Sequence, residues 1–144
     1  MSATGDEAHD ELLAANARFY EGFESLDLDV MSAVWSHSES ASCVHPGAEM
    51  VTGWPRVRRS WAAIFANTEY LQFIVTDEHA EVLGPDAGVV TCTENILSDA
   101  GHDDHLGAAR AVATNVFVRD PQRGWVLLTH HASPVLRRDV SEGE

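Results

Sequence analysis

The stretch LQFIVTDEHAEVLGPDAGVVTCTENIL, residues 71–97, decides the fold class. Its first run, residues 71–83, and its last run, residues 89–97, are rich in β-branched and aromatic residues, which favours strands. Between them stands GPDAG at residues 84–88, and these residue types are typical of a tight turn. Two strands joined by so short a connection pair antiparallel, so the stretch predicts a long hairpin.

The same pattern continues toward the C-terminus and predicts two more strands. Residues 109–118 and 125–135 are apolar and β-rich, and DPQRG at residues 120–124 separates them as a second turn. A polar loop over residues 99–107 joins the second strand to the third. Strands of about ten residues twist and coil, so we expect a curved antiparallel sheet.

The N-terminal half predicts helices instead. Thr4 and Glu7 fit a capping box at the start of the first helix. A short second helix is predicted after Asp27, and a third from Pro55, since proline is favoured at the first helical position. The apolar residues of the first helix recur every three to four positions and form one face: Leu12, Ala15, Phe19, Phe23 and Leu26.

The two shorter helices flank a brief extended piece. Residues 42–45 are extended and stop at Pro46-Gly47, and residues 49–51 can pair back across that turn. Helices followed by an antiparallel sheet indicate an α+β fold with the helices over one sheet face, and we expect a small-molecule pocket between the two layers. The inner residues are Val30, Met31, Val34 and Trp35 in the second helix and Val57, Trp61, Ile64 and Phe65 in the third.

Composition and charge restrict the class of protein. The chain has 144 residues, the size of one domain, and we expect residues 1–137 to form it, with a flexible polar tail at 138–144. Nine basic and 23 acidic residues give a net charge of −14, which repels phosphate backbones and argues against a nucleic-acid partner. No stretch approaches the roughly 20 apolar residues of a membrane span. The N-terminus does not resemble a signal peptide, so we expect a cytoplasmic protein without a membrane partner.

Cysteine and arginine usage give two smaller expectations. Cys43 and Cys92 are too few for a disulfide framework, and their apolar neighbours predict two buried thiols. Arg56, Arg58 and Arg59 form a local basic patch in an acidic chain. Either they are a solvated helix face that offsets carboxylates, or they contact an anion or a second subunit.

The order of these elements and seven short stretches resemble those of a known family. The stretches are ARFY at 17–20, LDLD at 26–29, CVHPG at 43–47, GW at 53–54, SW at 60–61, GW at 124–125 and THHAS at 129–133. The chain is similar to the nuclear transport factor 2-like superfamily, and within it to the SnoaL-like group, which also holds ketosteroid isomerases. The resemblance implies a cystatin-like cone, in which three N-terminal helices cover the concave face of a curved antiparallel sheet, and a homodimer through that sheet.

The resemblance also implies roles for single residues. Ketosteroid isomerases use a carboxylate base and an oxyanion hole made of a tyrosine and a protonated aspartate. The base corresponds to His45, and the tyrosine to Phe19, with Tyr20 one step away and facing elsewhere. The third strand reads AVATN at 111–115 and holds no carboxylate, so steroid isomerisation is not expected. The implied activity is a cofactor-free isomerisation, cyclisation or dehydration of a small apolar carbonyl or hydroxyl compound.

Histidines are the sharpest catalytic candidates. His45 can exchange a proton near pH 7, unless its imidazole only bonds neighbouring backbone. His130 and His131 are adjacent on a predicted strand, so only one of them faces the interior. We expect His131 to do so, because it is in register with Trp125 and Leu127, and we keep His130 as a pocket residue.

Asn115 and Glu94 are polar residues inside apolar strands. A buried polar group without a partner costs about 1–3 kcal/mol, so Asn115 needs either a ligand oxygen or a neighbouring side chain. Glu94 could orient a histidine or act as a general acid or base if it faces inward, and is a solvated charge if it faces outward. The predicted catalytic set is His45, Asn115, His131 and Glu94.

Aromatic residues form the predicted ligand wall, with bulky core as the alternative. That wall consists of Phe19, Tyr20, Trp35, Trp54 and Trp61, with His130 beside them. His102 and His105 flank two aspartates in the polar loop, but no third and fourth ligand follow, so no metal is expected. A non-catalytic binding module and an association domain of the same fold are the competing hypotheses.

Overall fold

The structure, a computed structural model, describes residues 5–99 and 106–136, which form three helices and six strands. This architecture confirms the α+β fold, with the helices preceding the long strands. The helices are α1 (Gly5–Ser25), α2 (Leu28–Val34) and α3 (Trp54–Ala66). The strands are β1 (Ser42–Val44), β2 (Val51–Thr52), β3 (Leu71–Gly84), β4 (Ala87–Ser98), β5 (Gly107–Asp120) and β6 (Gly124–Pro134).

All six strands belong to one curved sheet with the order β2-β1-β6-β5-β4-β3. The last four strands form an antiparallel meander, as the turn residues predict, and β1 lies parallel to β6. The predicted pairing across Pro46-Gly47 is present, because Cys43 of β1 pairs with Val51 of β2. Cys43 also pairs with His130 of β6, which brings the chain that follows β1 close to the middle of the sheet.

Local sequence sets the start of the two shorter helices. The carboxylate of Asp27 accepts hydrogen bonds from the backbone of Asp29 and Val30, so it caps α2. Gly53 precedes α3 with a φ of 91°, which glycine adopts without strain, and Pro55 occupies the first turn. Val30 is 43% exposed, so its expected place on the inner side of α2 is wrong.

A β-bulge divides β3 into two halves. Asp77 and Glu78 together oppose Cys92 of β4, and Asp77 has a left-handed φ of 52°. A bulge adds one residue and so reverses the alternation of side chains beyond it. Phe73 before the bulge and Ala80 after it therefore both face the helices, although they are separated by an odd number of positions.

The core lies between the helices and the inner face of the sheet. Leu12 and Phe19 of α1 and Trp61 of α3 have no exposed surface. Gly88 of β4 permits the close approach of α1, because a Cβ atom at this position would overlap the side chain of Leu12. Aromatic rings from α1, α3 and β3 contact one another throughout this layer: Phe19, Tyr20, Phe23, Trp61, Phe65 and Phe73.

Three expectations lie outside the described residues. They are the capping role of Thr4, the loop that holds His102 and His105, and the polar tail at 138–144.

Candidate active site

Four buried polar side chains meet on the inner face of the sheet, and we call them the inner polar cluster: Tyr20 of α1, Glu94 of β4, Asn115 of β5 and His130 of β6. Tyr20 Oη donates a hydrogen bond to Glu94 Oε2 at 2.6 Å. His130 Nδ1 lies 2.6 Å from Asn115 Oδ1, and His130 Nε2 lies 4.0 Å from Glu94 Oε2. The cluster forms because Glu94, Asn115 and His130 occupy inward positions on three neighbouring strands.

Burial sets the protonation of Glu94. Its side chain is only 1% exposed, and this burial raises the pKa of Glu94 to about 7, although the hydrogen bond from Tyr20 favours the charged form. Burial also raises the pKa of Tyr20, and the neighbouring Glu94 raises it further, so the phenol keeps its proton. A carboxyl group that titrates near neutrality can act as a general acid.

His130 is a neutral imidazole held by its neighbours. Burial, with smaller contributions from His45 and His131, lowers its pKa to about 3. Asn115, which accepts from His130, donates through Nδ2 to Asn16 Oδ1 at 2.8 Å and to Tyr20 Oη at 3.3 Å. The partners of this amide are therefore neighbouring side chains, one of the two alternatives that the sequence left open.

His45 follows β1 and lies half-buried across from the cluster. Its Nε2 is 3.0 Å from Ser60 Oγ of α3, and its ring stands edge-on to Trp61 with the centroids 4.7 Å apart. The ring centroids of His45 and His130 are 6.4 Å apart. Burial lowers the pKa of His45 to about 4, so at neutral pH the imidazole is uncharged and one of its two ring nitrogens carries no hydrogen. Burial raises the pKa of the adjacent Cys43, which stays a thiol.

The predicted aromatic wall surrounds the two histidines closely. The rings of Phe19 and Trp61 lie 4.8 and 6.0 Å from that of His130, and Trp35 lies 6.3 Å from Trp61. Trp54 is farther out and partly exposed. Phe19, Trp35 and Trp61 have no exposed surface, so these three rings are packed against other side chains. The indole nitrogens of Trp35 and Trp61 find no hydrogen-bond partner among the described residues.

Comparison with known proteins identifies the family. The model of the SnoaL-like domain family matches residues 12–137. The chain belongs to the SnoaL-like domain family. A proposed dehydratase of the nuclear transport factor 2-like family from Streptomyces avermitilis is 45% identical, and the match covers 93% of this SnoaL-like domain and 100% of that chain with a TM-score of 0.84.

Two further relatives have different descriptions. A proposed calcium/calmodulin-dependent protein kinase type II association domain from Thiobacillus denitrificans is 30% identical, covers 85% of this chain and 94% of its own, and has a TM-score of 0.65. The F-box protein SKIP8 of Arabidopsis thaliana is 26% identical over 128 residues, which is 89% of this chain. The SnoaL-like domain spans about half the length of that curated relative, 51%.

His131 is exposed, so the prediction that it faces the interior of the SnoaL-like domain is wrong. The register of β6 against β5 shifts at Leu128, where one extra residue is inserted. This bulge reverses the alternation beyond it, so that Leu127 and His130 both face inward although they are three positions apart. His130 therefore takes the inner position that was assigned to His131.

The expectation that Tyr20 faces elsewhere is also wrong. Phe19 is 0% and Tyr20 is 5% exposed, because the buried face of α1 is wide enough to hold adjacent positions. Two polar residues at the site were missed by sequence reasoning, namely Asn16 and Glu78, whose side chains are joined by a hydrogen bond of 2.7 Å. Asn16 interrupts the apolar face of α1, and this position is the signal that could have identified it.

Among residues 5–99 and 106–136, no three His, Cys, Asp or Glu side chains are grouped so that they could hold a metal ion. In the same ranges, no helix has the length and apolar character needed to cross a membrane. Cys43 and Cys92 are free and buried, as predicted. The arginine patch at 56–59 is exposed on α3, and both interpretations of it stay open.

The outer face of the sheet, opposite the helices, is partly apolar. Ile74 of β3 and Val112 of β5 are 60% and 48% exposed. A groove of about 1040 Å³ opens on this side near one end of β3, β4 and β5. Its lining includes Ile74, Leu97, Arg110, Val135 and Leu136.

Proposed function

We propose that this SnoaL-like domain is a cofactor-free dehydratase that acts on a small, mostly apolar molecule with a carbonyl group and a β-hydroxyl group. The observation that carries the proposal is the protonation of two groups on either side of His130. Glu94 holds a proton that a carboxylate does not ordinarily hold at neutral pH, and His45 lacks one. The 45% identity to a proposed dehydratase from Streptomyces avermitilis supports this choice over isomerisation or cyclisation.

The two groups are ready for acid–base chemistry over a defined pH range. Above about pH 4 the imidazole of His45 is neutral and can accept a proton. Below about pH 7 the carboxyl of Glu94 is mostly protonated and can donate one. Because the pKa of Glu94 is the higher of the two, the resting proton lies on the acid and the base is free, which is the combination that dehydration requires.

The reaction follows from these roles. His45 removes a proton from the carbon next to the carbonyl group, and the electrons of that C–H bond form a carbon–carbon double bond. The bond between the neighbouring carbon and its hydroxyl oxygen breaks, and the hydroxyl leaves as water with the proton of Glu94. The products are an α,β-unsaturated carbonyl compound and water. The proton on His45 then returns to Glu94, in the direction of the higher pKa.

Access to the acid requires side chains to move. Glu94 and His130 are each 1% exposed, whereas His45 is half-buried and lies at the edge of the site. Trp61 contacts the rings of both histidines and comes from α3, so it is the side chain that a cyclic substrate would displace. The neighbouring aromatic rings would then orient the substrate by stacking.

The test uses a panel of cyclic β-hydroxyketones fused to an aromatic ring, with proton NMR in D₂O to follow loss of water and exchange at the carbon beside the carbonyl. We expect His45→Ala to lower turnover roughly 10²–10⁴-fold, as for loss of a general base. The control is His79→Ala, which removes an exposed imidazole from β3. A substrate that His45→Ala consumes at the wild-type rate would refute the assignment. Compounds that bind but are never consumed would favour a binding module.

Association through the outer sheet face is a second candidate function. The exposed Ile74 and Val112 support it, as does the 30% identity to a proposed kinase association domain. We expect light scattering to give a homodimer, and Val112→Asp to give a monomer, because a buried carboxylate would oppose the contact. The control is Ala14→Asp, on the exposed side of α1. A monomeric wild-type chain would contradict this candidate.

A further inference from the structure

A line of hydrogen bonds leads from the edge of the core to His130. Glu78 Oε2 accepts from Asn16 Nδ2 at 2.7 Å, and Asn16 Oδ1 accepts from Asn115 Nδ2 at 2.8 Å. Asn115 Oδ1 then lies 2.6 Å from His130 Nδ1. Asn16, Asn115 and His130 are almost wholly buried, whereas Glu78 is exposed, so the line has one end in solvent and the other in the inner polar cluster.

The direction of each bond is fixed by the carboxylate at the outer end. A carboxylate has no hydrogen to donate, so Asn16 must turn its NH₂ group toward Glu78 and its oxygen toward Asn115. Asn115 must then turn its own NH₂ group toward Asn16 and its oxygen toward His130. An oxygen can only accept, so the ring nitrogen facing it, Nδ1, carries the hydrogen. The opposite orientation of either amide would place two acceptors or two donors in contact.

A second, longer contact has the same direction, but a hydroxyl can rotate, so this contact does not fix the amide by itself. The hydroxyl of Tyr20 donates to Glu94, so its oxygen is left to accept from Asn115 Nδ2 at 3.3 Å. In this contact the NH₂ group of Asn115 points away from His130, in agreement with the direction that Glu78 sets. The bulge at Asp77 contributes to the line, because it reverses the alternation of β3 and puts Glu78 on the same sheet face as Ala80.

We infer that Glu78, acting through Asn16 and Asn115, holds His130 with its hydrogen on Nδ1 and thereby keeps Glu94 in its acid form. In this tautomer the lone pair of Nε2 is directed at Glu94 Oε2, 4.0 Å away. At this distance the contact is electrostatic and not a hydrogen bond, and the negative end of the imidazole dipole disfavours a carboxylate beside it. The other tautomer would present an N–H group to Glu94. That group would stabilise the carboxylate, so Glu94 would no longer hold the proton that a general acid donates. Glu78, Asn16 and Asn115 are thus positioning residues for Glu94, and their value to the reaction rests on the proposed dehydratase function.

The test needs no substrate. Long-range proton–nitrogen NMR spectra of the ¹⁵N-labelled protein distinguish the two neutral tautomers of histidine, and the carboxyl ¹³C shift of Glu94 follows its titration. We expect His130 of the wild type to carry its hydrogen on Nδ1. Asn16→Leu and Glu78→Ala should both populate the other tautomer and lower the titration midpoint of Glu94. Glu78→Gln should preserve the wild-type pattern, since the amide oxygen can still accept from Asn16.

The control is Glu81→Ala, which removes an exposed carboxylate from the same strand and should change neither signal. Because Glu78 is exposed, its replacement does not disturb the core, so the test stands even where Asn16→Leu fails to fold. A wild-type His130 with its hydrogen on Nε2 would overturn the inference, and so would a Glu78→Ala variant with unchanged signals. If His130 carries its hydrogen on Nδ1 but the protein dehydrates no compound, the proposed function is refuted. The inference about the tautomer is then still supported.

Discussion

Replacing Glu94 by glutamine removes one titrating group from the inner polar cluster and keeps a side chain of nearly the same shape. Folding raises the pKa of Glu94 from 4.5 to about 7, because burial disfavours the charged form. The folded-state pKa lies above the unfolded-state value. The stability linked to this group is therefore fully present below pH 4.5 and is lost as the pH rises through about 7.

The size of the loss follows from the two pKa values. The difference between 4.5 and about 7 is about 2.5 pKa units, and each unit corresponds to about 1.4 kcal/mol, so the wild type loses about 3 kcal/mol over this range. Glu94→Gln cannot lose it. The free energy of unfolding of the variant, relative to that of the wild type, should therefore rise by about 3 kcal/mol between roughly pH 4 and pH 8.

Urea unfolding followed by tryptophan fluorescence measures this difference, because Trp35 and Trp61 are fully buried and report on the core. Glu81→Gln, at an exposed position of β3, is the matched control and should show no such dependence on pH. A difference between Glu94→Gln and the wild type that stays constant with pH would refute the reasoning, since it would mean that Glu94 titrates alike in the folded and unfolded chains.

Three more outcomes are expected from the packing and charges. Burial lowers the pKa of His130 from 6.5 to about 3, so the free energy of unfolding of the wild type decreases as the pH falls through that range. In urea unfolding, His130→Gln should lose less stability over the same range. An equal loss in the variant and the wild type would contradict this. Gly88→Ala should lower the free energy of unfolding by about 1–3 kcal/mol, because the added methyl group overlaps Leu12. The double variant Gly88→Ala/Leu12→Ala should lose less stability than the sum of the losses of the two single variants. Strictly additive losses would argue against the contact. Asp27→Ala should lower thermal stability by about 1 kcal/mol through loss of the α2 cap, and Asp27→Asn should restore most of it; equal losses would exclude capping as the cause.

Periodic features of the sequence were sufficient to predict the architecture. Three local features predicted elements that the structure contains. They are the apolar face of α1, the proline at the start of α3 and the turn residues at 84–88 between β3 and β4. The same reasoning placed Glu94 and Asn115 inside strands but could only leave the direction of Glu94 open. Burial settles that direction, because both side chains lie on the inner face of the sheet.

Bulges are the reason that the histidines could not be assigned from sequence. Side chains along a strand alternate between the two faces of the sheet until a bulge inserts one residue. Nothing in the sequence around THHAS shows that Leu128, which precedes it, is the inserted residue. In a strand without a bulge, His131 would point to the same face as Leu127, which is why the sequence predicts that His131 faces inward. In β3 a signal was available, since the apolar positions change from odd at Phe73 to even at Ala80, with Asp77 and Glu78 between them.

The family resemblance implied that the positions of the ketosteroid isomerase tyrosine and protonated aspartate hold neither group in this chain. Phe19 corresponds to the tyrosine position, but Tyr20 reaches the site because α1 buries adjacent residues. Residues 111–115 of the third long strand include no carboxylate, but Glu94 of the second long strand points inward, and burial raises its pKa to about 7. A tyrosine and a buried carboxyl group are thus in contact at positions other than those that the resemblance indicated.

One NMR titration tests the central claim most directly, because it needs no ligand and observes both reacting groups in a single sample. The carboxyl carbon of Glu94 and the ring nitrogens of His45 are followed from about pH 3 to about pH 9. At about pH 6 we expect a carboxyl group that is still mostly protonated and an imidazole that is already neutral. An ionised Glu94 beside a charged His45 at that pH would contradict the acid–base assignment.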